Sequence, residues 1–114
     1  MKNMKRVLII AEAGVNHNGN LNLAIEMVKK AKEADADIVK LQTAKAENVI
    51  SRYAEKAEYQ KMTTGNDEGQ LEMVRKLMLR PEEHIIIRDY CDRCEIQFLS
   101  TPFDSPSIDF IDSL

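Results

Sequence analysis

The chain has 114 residues, of which 44% are hydrophobic and 31% charged, and its formal net charge is −3. Such a length and composition suit one folded unit with a core and exclude a disordered chain. Charges of both signs are mixed along the sequence with no basic stripe, which argues against a nucleic-acid backbone as partner.

At the start, Lys2, Lys5 and Arg6 precede the apolar run Val7-Leu8-Ile9-Ile10-Ala11, which Glu12 ends. A secretory leader needs roughly 7–15 apolar residues and a membrane span about 20. No segment reaches either length, so a cytoplasmic location without a membrane partner is expected. Lys5 to Ala11 instead has the look of a buried strand, closed by Gly14 and the polar cluster Asn16-His17-Asn18-Gly19. Asn20 can cap a helix from Leu21 to Ala34, with Leu21, Ala24, Ile25, Val28 and Ala31 on one face. Lys29, Lys30 and Lys32 lie near its C-terminal end, where cations suit the helix dipole.

Ile38 to Thr43 is a second strand. The stretch Ala44 to Arg80 is too long for a simple connection, and short helices are expected around Ala54–Lys61 and Glu68–Leu79, separated by the turn-forming Thr63-Thr64-Gly65-Asn66-Asp67. Leu71, Val74, Arg75 and Met78 mark the second of these helices, and Met62, Met73 and Met78 are expected to fill core or interface. Pro81 opens a further helix that runs to Cys94, with Glu82 and Glu83 in its first turn. Ile96 to Ser100 is a third strand. Asp104-Ser105-Pro106 then opens a last helix, in which Ile108, Ile111 and Leu114 share a face. Strands alternating with helices imply an α/β fold with a parallel sheet. The sequence stops inside a helix without a cap, so the chain is expected to be part of a longer protein.

Cys91 and Cys94 form a Cys-x-x-Cys pair, but at the end of a helical pattern rather than its start, and no second pair exists to complete a zinc site. They are expected to be ordinary thiols.

In parallel α/β folds, ligands gather at the C-terminal ends of the strands. The three ends here are polar: Glu12, Gly14, Asn16, His17 and Asn18 after the first strand; Lys40, Gln42 and Thr43 on the second; Ser100, Thr101 and Phe103 on the third. This set of a carboxylate, a cation, amides and hydroxyls suits a phosphorylated, oxygen-rich small molecule. Lys40 and Gln42 leave the same face of their strand. Lys40 must find an anion, either a ligand or a structural carboxylate such as Glu12. Glu12 is either a general base, an orienting hydrogen-bond partner or one side of a salt bridge. Ser100 and Thr101 could donate to phosphate or cap the following helix. His17 is expected to be a structural hydrogen-bonding residue, and His84, on a charged helix turn, is given no role.

Several segments resemble, in order, the motifs of the sialic acid synthase family, whose members include N-acetylneuraminate, legionaminate and pseudaminate synthases. They are Ile10-Ala11-Glu12-Ala13-Gly14-Val15-Asn16-His17-Asn18-Gly19, Val39-Lys40-Leu41-Gln42-Thr43, Lys56-Ala57-Glu58-Tyr59-Gln60, Gln70-Leu71-Glu72-Met73 and Phe98-Leu99-Ser100-Thr101-Pro102-Phe103-Asp104. The resemblance spans almost the whole chain. It implies a (β/α)8 TIM barrel, of which residues 1–114 would supply about three βα units, followed by a small antifreeze-protein-like domain in a homodimer. Eight strands need ~250 residues.

The implied reaction condenses phosphoenolpyruvate with the open-chain aldehyde of an N-acetylated mannose-type sugar. It gives a nine-carbon 2-keto acid and phosphate, with the aid of manganese or magnesium. N-acetylneuraminate synthase is the first expectation. The alternatives are a legionaminate or pseudaminate synthase, or a non-catalytic piece that only binds or assembles; the segment alone is expected to be inactive. By resemblance, Lys40 and Thr101 contact phosphoenolpyruvate, Gln42 and Phe103 line the sugar site, Asn66 reaches the sugar from the long loop, and Glu12 lies near the reacting centre. The metal ligands are expected beyond residue 114, with none in this segment. Where members commonly carry Gly-Ala-Asp after the first helix, this chain has Asp35-Ala36-Asp37, which asks Asp35 to take a left-handed conformation.

Overall fold

The computed structural model describes residues 6–50 and 69–114. In chain order these form β1 (Ile10–Gly14), α1 (Leu21–Glu33), β2 (Ile38–Thr43), α2 (Ala46–Val49), α3 (Gln70–Leu77), α4 (Pro81–Cys94), β3 (Gln97–Pro102) and α5 (Ser105–Ser113). The sheet has the order β1-β2-β3 and every pairing is parallel. The helix expected around Ala54–Lys61 and the turn that contains Asn66 lie outside the described residues.

Most boundaries follow local chemistry. The Asn20 side chain accepts from the Leu23 amide at 3.1 Å and starts α1. α1 ends as anticipated in a left-handed residue, Asp35, with φ 60. The Asp35 amide donates to the Lys32 carbonyl and the Ala36 amide to the Ala31 carbonyl, which is the Schellman arrangement. α4 begins with Pro81 in its first turn and ends on left-handed Glu95 in the same way, its amide bonded to Asp92 and that of Ile96 to Cys91.

β1 differs from expectation. Pairing with β2 begins at Ile10 opposite Ile38 and continues through Gly14, while Val7, Leu8 and Ile9 are exposed. The apolar run marked the approach to the strand rather than the strand. Asp37 fixes the entry: its carboxylate accepts from the Ile9 amide at 2.8 Å, and its own amide donates back to the Ile9 carbonyl at 2.9 Å. The strand then outlasts Glu12 because the register shifts between Glu12 and Gly14, leaving Ala13 as an extra residue.

The core lies between the sheet and the helices that cover one of its faces. Ala24, Val28 and Ala31 of α1 and Ile87 and Cys91 of α4 meet Ala13, Val39 and Leu41, with Leu79 and Ile96 at the margins. α3 buries Met73, with Leu71, Val74 and Met78 half-buried and Arg75 exposed on ion pairs to Glu47 and Glu72. Met62 lies outside the described residues. α5 turns Ser107 inward and leaves Ile108 exposed, so its expected apolar face is displaced toward Ser107, Phe110 and Ile111.

Alternation along the strands sends Ile10, Glu12, Lys40, Gln42, Leu99 and Thr101 to the opposite face. On that face Ile10 and Leu99 are exposed, while Ile38, of the same parity as Lys40, is buried. No helix among the described residues is long and apolar enough to cross a membrane.

Candidate active site

The polar rim forms where the strand pairings bring residue types together. Glu12 stands opposite Lys40 in the β1–β2 register, and Gln42 opposite Thr101 in the β2–β3 register. Glu12 Oε2 lies 3.1 Å from Lys40 Nζ. The lysine has therefore found the structural carboxylate rather than standing free. Its side chain is a third exposed and that of Glu12 half exposed, so the pair is open to a ligand from the face opposite the core. An ammonium has three donors, and one contact with Glu12 leaves capacity for a phosphate or carboxylate oxygen.

Gly14 completes this corner. Its φ of 55 is the left-handed region that favours glycine. A Cβ there would touch Glu12 Oε1 at 3.4 Å and Gln42 Nε2 at 3.7 Å. Glu12 and Gln42 thus both come close to Gly14, and the absence of a side chain there leaves room beside them. Glu12, Lys40, Gln42 and Thr101 converge at one end of one face.

Phe103 follows β3 and is half exposed, held by its amide on the Thr43 carbonyl at 3.0 Å. Asp104 anchors the turn behind it. One carboxylate oxygen accepts from the Lys45 amide at 2.6 Å, and the other caps α5 through the Ser107 amide at 2.8 Å. Burial pushes the Asp104 carboxyl up, but these amides and the Ser107 side chain outweigh it and hold the group below its ordinary range. Asn66 falls outside the described residues.

Two assignments change. Ser100 neither faces the rim nor caps a helix; it is buried on the helix side, and Asp104 is the cap. His84, given no role from the sequence, is 1% exposed, with both ring nitrogens engaged. The sequence did carry a signal: His84, Ile87 and Cys91 are spaced as one inward stripe of α4.

His17 behaves as expected, as a brace within the β1–α1 loop. Its Nδ1 accepts from the Gly19 amide at 3.0 Å. Burial, with His84 nearby, pushes its pKa down against the opposing pull of Glu83 and the Gly14 carbonyl. Among the described residues no group of three or more His, Cys, Asp or Glu side chains is placed to hold a metal ion. The single rim carboxylate, Glu12, does not by itself make a divalent-ion site. Cys91 is buried and its thiol is pushed up to about 12 by desolvation; Cys94 is free and half-buried.

Comparison with known proteins agrees with this geometry. The NeuB family model matches residues 27–114. The N,N'-diacetyllegionaminic acid synthase of Campylobacter jejuni is 53% identical over 97% of this chain and 33% of its own length. The enzyme of the same name from Legionella pneumophila is 50% identical over 93% of this chain and 30% of its own. Human N-acetylneuraminate-9-phosphate synthase is 32% identical over 93% of this chain and 29% of its own. The crystal structure of the N-acetylneuraminic acid synthetase of Leptospira borgpetersenii superposes with a TM-score of 0.74 at 26% identity, covering 99% of this chain and 36% of that one. The chain thus spans about a third of the length of these relatives. Parallel βαβ order, a polar rim at the strand ends and these similarities lead to one conclusion: the chain belongs to the NeuB family, that of the sialic-acid-type synthases.

Proposed function

We propose that the protein condenses phosphoenolpyruvate with the open-chain aldehyde of an N-acetylated mannose-type sugar, forming a carbon–carbon bond and releasing phosphate to give a nine-carbon 2-keto acid. The observation that carries this reading is the Glu12–Lys40 pair beside Gln42 and Thr101, on an open face at the strand ends. Lys40 and Thr101 supply a cation and a hydroxyl for the phosphate and carboxylate of phosphoenolpyruvate. Gln42 and the half-exposed Phe103 would present an amide and a ring to the sugar; a sugar contact by Asn66, which lies outside the described residues, is part of the same proposal. Glu12 would hydrogen-bond the sugar or the attacking water, in the role of a general base; its open pairing with Lys40 supports this reading.

In this reading residues 1–114 are the first three βα units of an eight-stranded barrel. The remaining barrel, the manganese or magnesium ligands and an antifreeze-protein-like domain would lie beyond residue 114, in a cytoplasmic homodimer. The test is phosphate release and 2-keto acid formation by the protein at its full natural length. Absence of both with every N-acetylated mannose-type acceptor overturns the proposal; the 114-residue segment alone is expected to be inactive.

Identity to relatives supports one class of acceptor within this proposal. The two proteins named diacetyllegionaminic acid synthases are 53% and 50% identical to this chain, against 32% for the human N-acetylneuraminate-9-phosphate synthase. That order favours an acceptor with two N-acetyl groups over N-acetylmannosamine, the acceptor of the neuraminate reaction expected from the motifs alone. A side-by-side measurement of kcat/KM for the two sugars decides between them.

A further inference from the structure

His84, Thr43 and Ser100 form a chain of buried polar side chains directly behind the rim. They are 1%, 7% and 5% exposed. His84 Nδ1 lies 3.1 Å from the Arg80 carbonyl, His84 Nε2 lies 3.0 Å from Thr43 Oγ1, and Thr43 Oγ1 lies 2.6 Å from Ser100 Oγ. A carbonyl can only accept, so Nδ1 carries a proton. With Nε2 unprotonated, Thr43 donates to His84 and Ser100 donates to Thr43. Each residue is held by the next.

The place of this chain matters more than its burial. Thr43 and Ser100 are the immediate neighbours of Gln42 and Thr101, which face the other side of the same two strands. The backbone ladder closes here with the Phe103 amide on the Thr43 carbonyl at 3.0 Å. The Thr43–Ser100 hydroxyl bond adds a side-chain tie between β2 and β3 beside it. His84 secures it to α4, and the edge of the His84 ring also meets Phe110 of α5, with centroids 6.0 Å apart at 89°. One imidazole thus joins two strands and two helices behind the Gln42–Thr101 pair.

We propose that His84 is a positioning residue for the substrate rim, fixing the relative placement of Gln42 and Thr101 through Thr43 and Ser100. The proposal rests on the function above only for what the rim binds. It is tested in the protein at its full natural length with Thr43→Val, which keeps shape and removes the hydroxyl, Thr43→Ser, which restores it, and His84→Phe, which keeps a ring against Phe110.

Thr43→Val and His84→Phe are expected to raise KM for the substrates by about tenfold or more, because small misplacements of binding groups are costly, with a smaller change in kcat. Thr43→Ser should recover most of that loss. The side-chain amide resonance of Gln42 and the backbone resonance of Thr101 should move in Thr43→Val and return in Thr43→Ser, and ring-nitrogen shifts of the unsubstituted protein should report the proton on Nδ1. These resonances are read without any reaction, so they decide the proposal even if the unsubstituted protein shows no turnover, a result that removes the function and not the positioning role. If His84→Phe fails to fold, the two Thr43 variants carry the comparison. A lowered melting temperature with KM and the Gln42 and Thr101 resonances all unmoved makes His84 a core residue only and overturns the proposal.

Discussion

Glu12 and Lys40 are direct partners across β1 and β2, and their side chains close to 3.1 Å on the face of the sheet opposite the core. Both are partly exposed, so the pair adds little to stability, about 0–1 kcal/mol. Its effect is local. A bulge at Ala13 and a left-handed Gly14 bring the Glu12 carboxylate and the Gln42 amide to the same glycine.

Glu12→Gln keeps the size of the side chain and removes its charge. Turnover in the protein at its full natural length should fall by about 100-fold or more if the carboxylate handles a proton, while the thermal midpoint hardly moves. Steady-state kinetics beside a melting curve make the check. Near-normal turnover takes Glu12 out of the reacting centre and leaves it a salt-bridge partner.

Gly19→Ala should act on folding. Gly19 has φ 71, and a Cβ there would sit 2.1 Å from the Lys76 carbonyl oxygen and 3.2 Å from its carbon. These are backbone atoms of α3, so no side chain can swing aside. A left-handed penalty and a clash together should cost about 3 kcal/mol, seen as a lower urea midpoint. An unchanged midpoint would mean that α3 does not dock against the β1–α1 loop.

Much of this was legible in the sequence because it was local. The Asn20 cap, the left-handed Asp35, the Pro81 start and the period of α1 each depend on a few neighbouring residues. β1 was misplaced because hydrophobicity alone does not tell a strand from its approach; the ladder starts where Asp37 clasps Ile9. His84 and Ser100 were misjudged for a related reason. A polar residue can lie on an inward face if a partner far along the chain completes its hydrogen bonds, and Thr43 is separated from His84 by 41 positions and from Ser100 by 57. The shared placement of Glu12, Lys40, Gln42 and Thr101 was legible because adjacency of parallel strands follows from the βαβ order, and a common face from the alternation of side chains.

Acid should weaken the β1 entry. The Arg6 guanidinium, then the Ile9 amide, hold the Asp37 carboxyl below its ordinary range. A depressed folded-state pKa gives stabilisation that is complete above the ordinary Asp value of about 3.9 and is lost as pH falls through the lower folded value. Thermal midpoints of the unsubstituted protein and Asp37→Asn should therefore lie apart near neutral pH and converge in acid. Because Arg6 is largely exposed, salt should narrow the gap as well. Curves that stay parallel throughout would mean that the carboxylate charge contributes nothing there.

The two Schellman ends offer a gain. Asp35 and Glu95 sit left-handed at φ 60 and φ 57, each just past a helix. A side chain in that region is strained by about 1 kcal/mol, less for Asp, and glycine removes the strain at some cost in unfolded-state entropy. Glu95→Gly should raise stability by about 1 kcal/mol and Asp35→Gly by less. Neither carboxylate forms an ion pair among the described residues, and the Glu95 contact to Lys32 is made by the backbone carbonyl, which glycine retains. Denaturant midpoints of the two variants test the order. A loss of stability in Glu95→Gly would mean that its side chain holds the turn after α4, contrary to a cap defined by backbone bonds to Asp92 and Cys91.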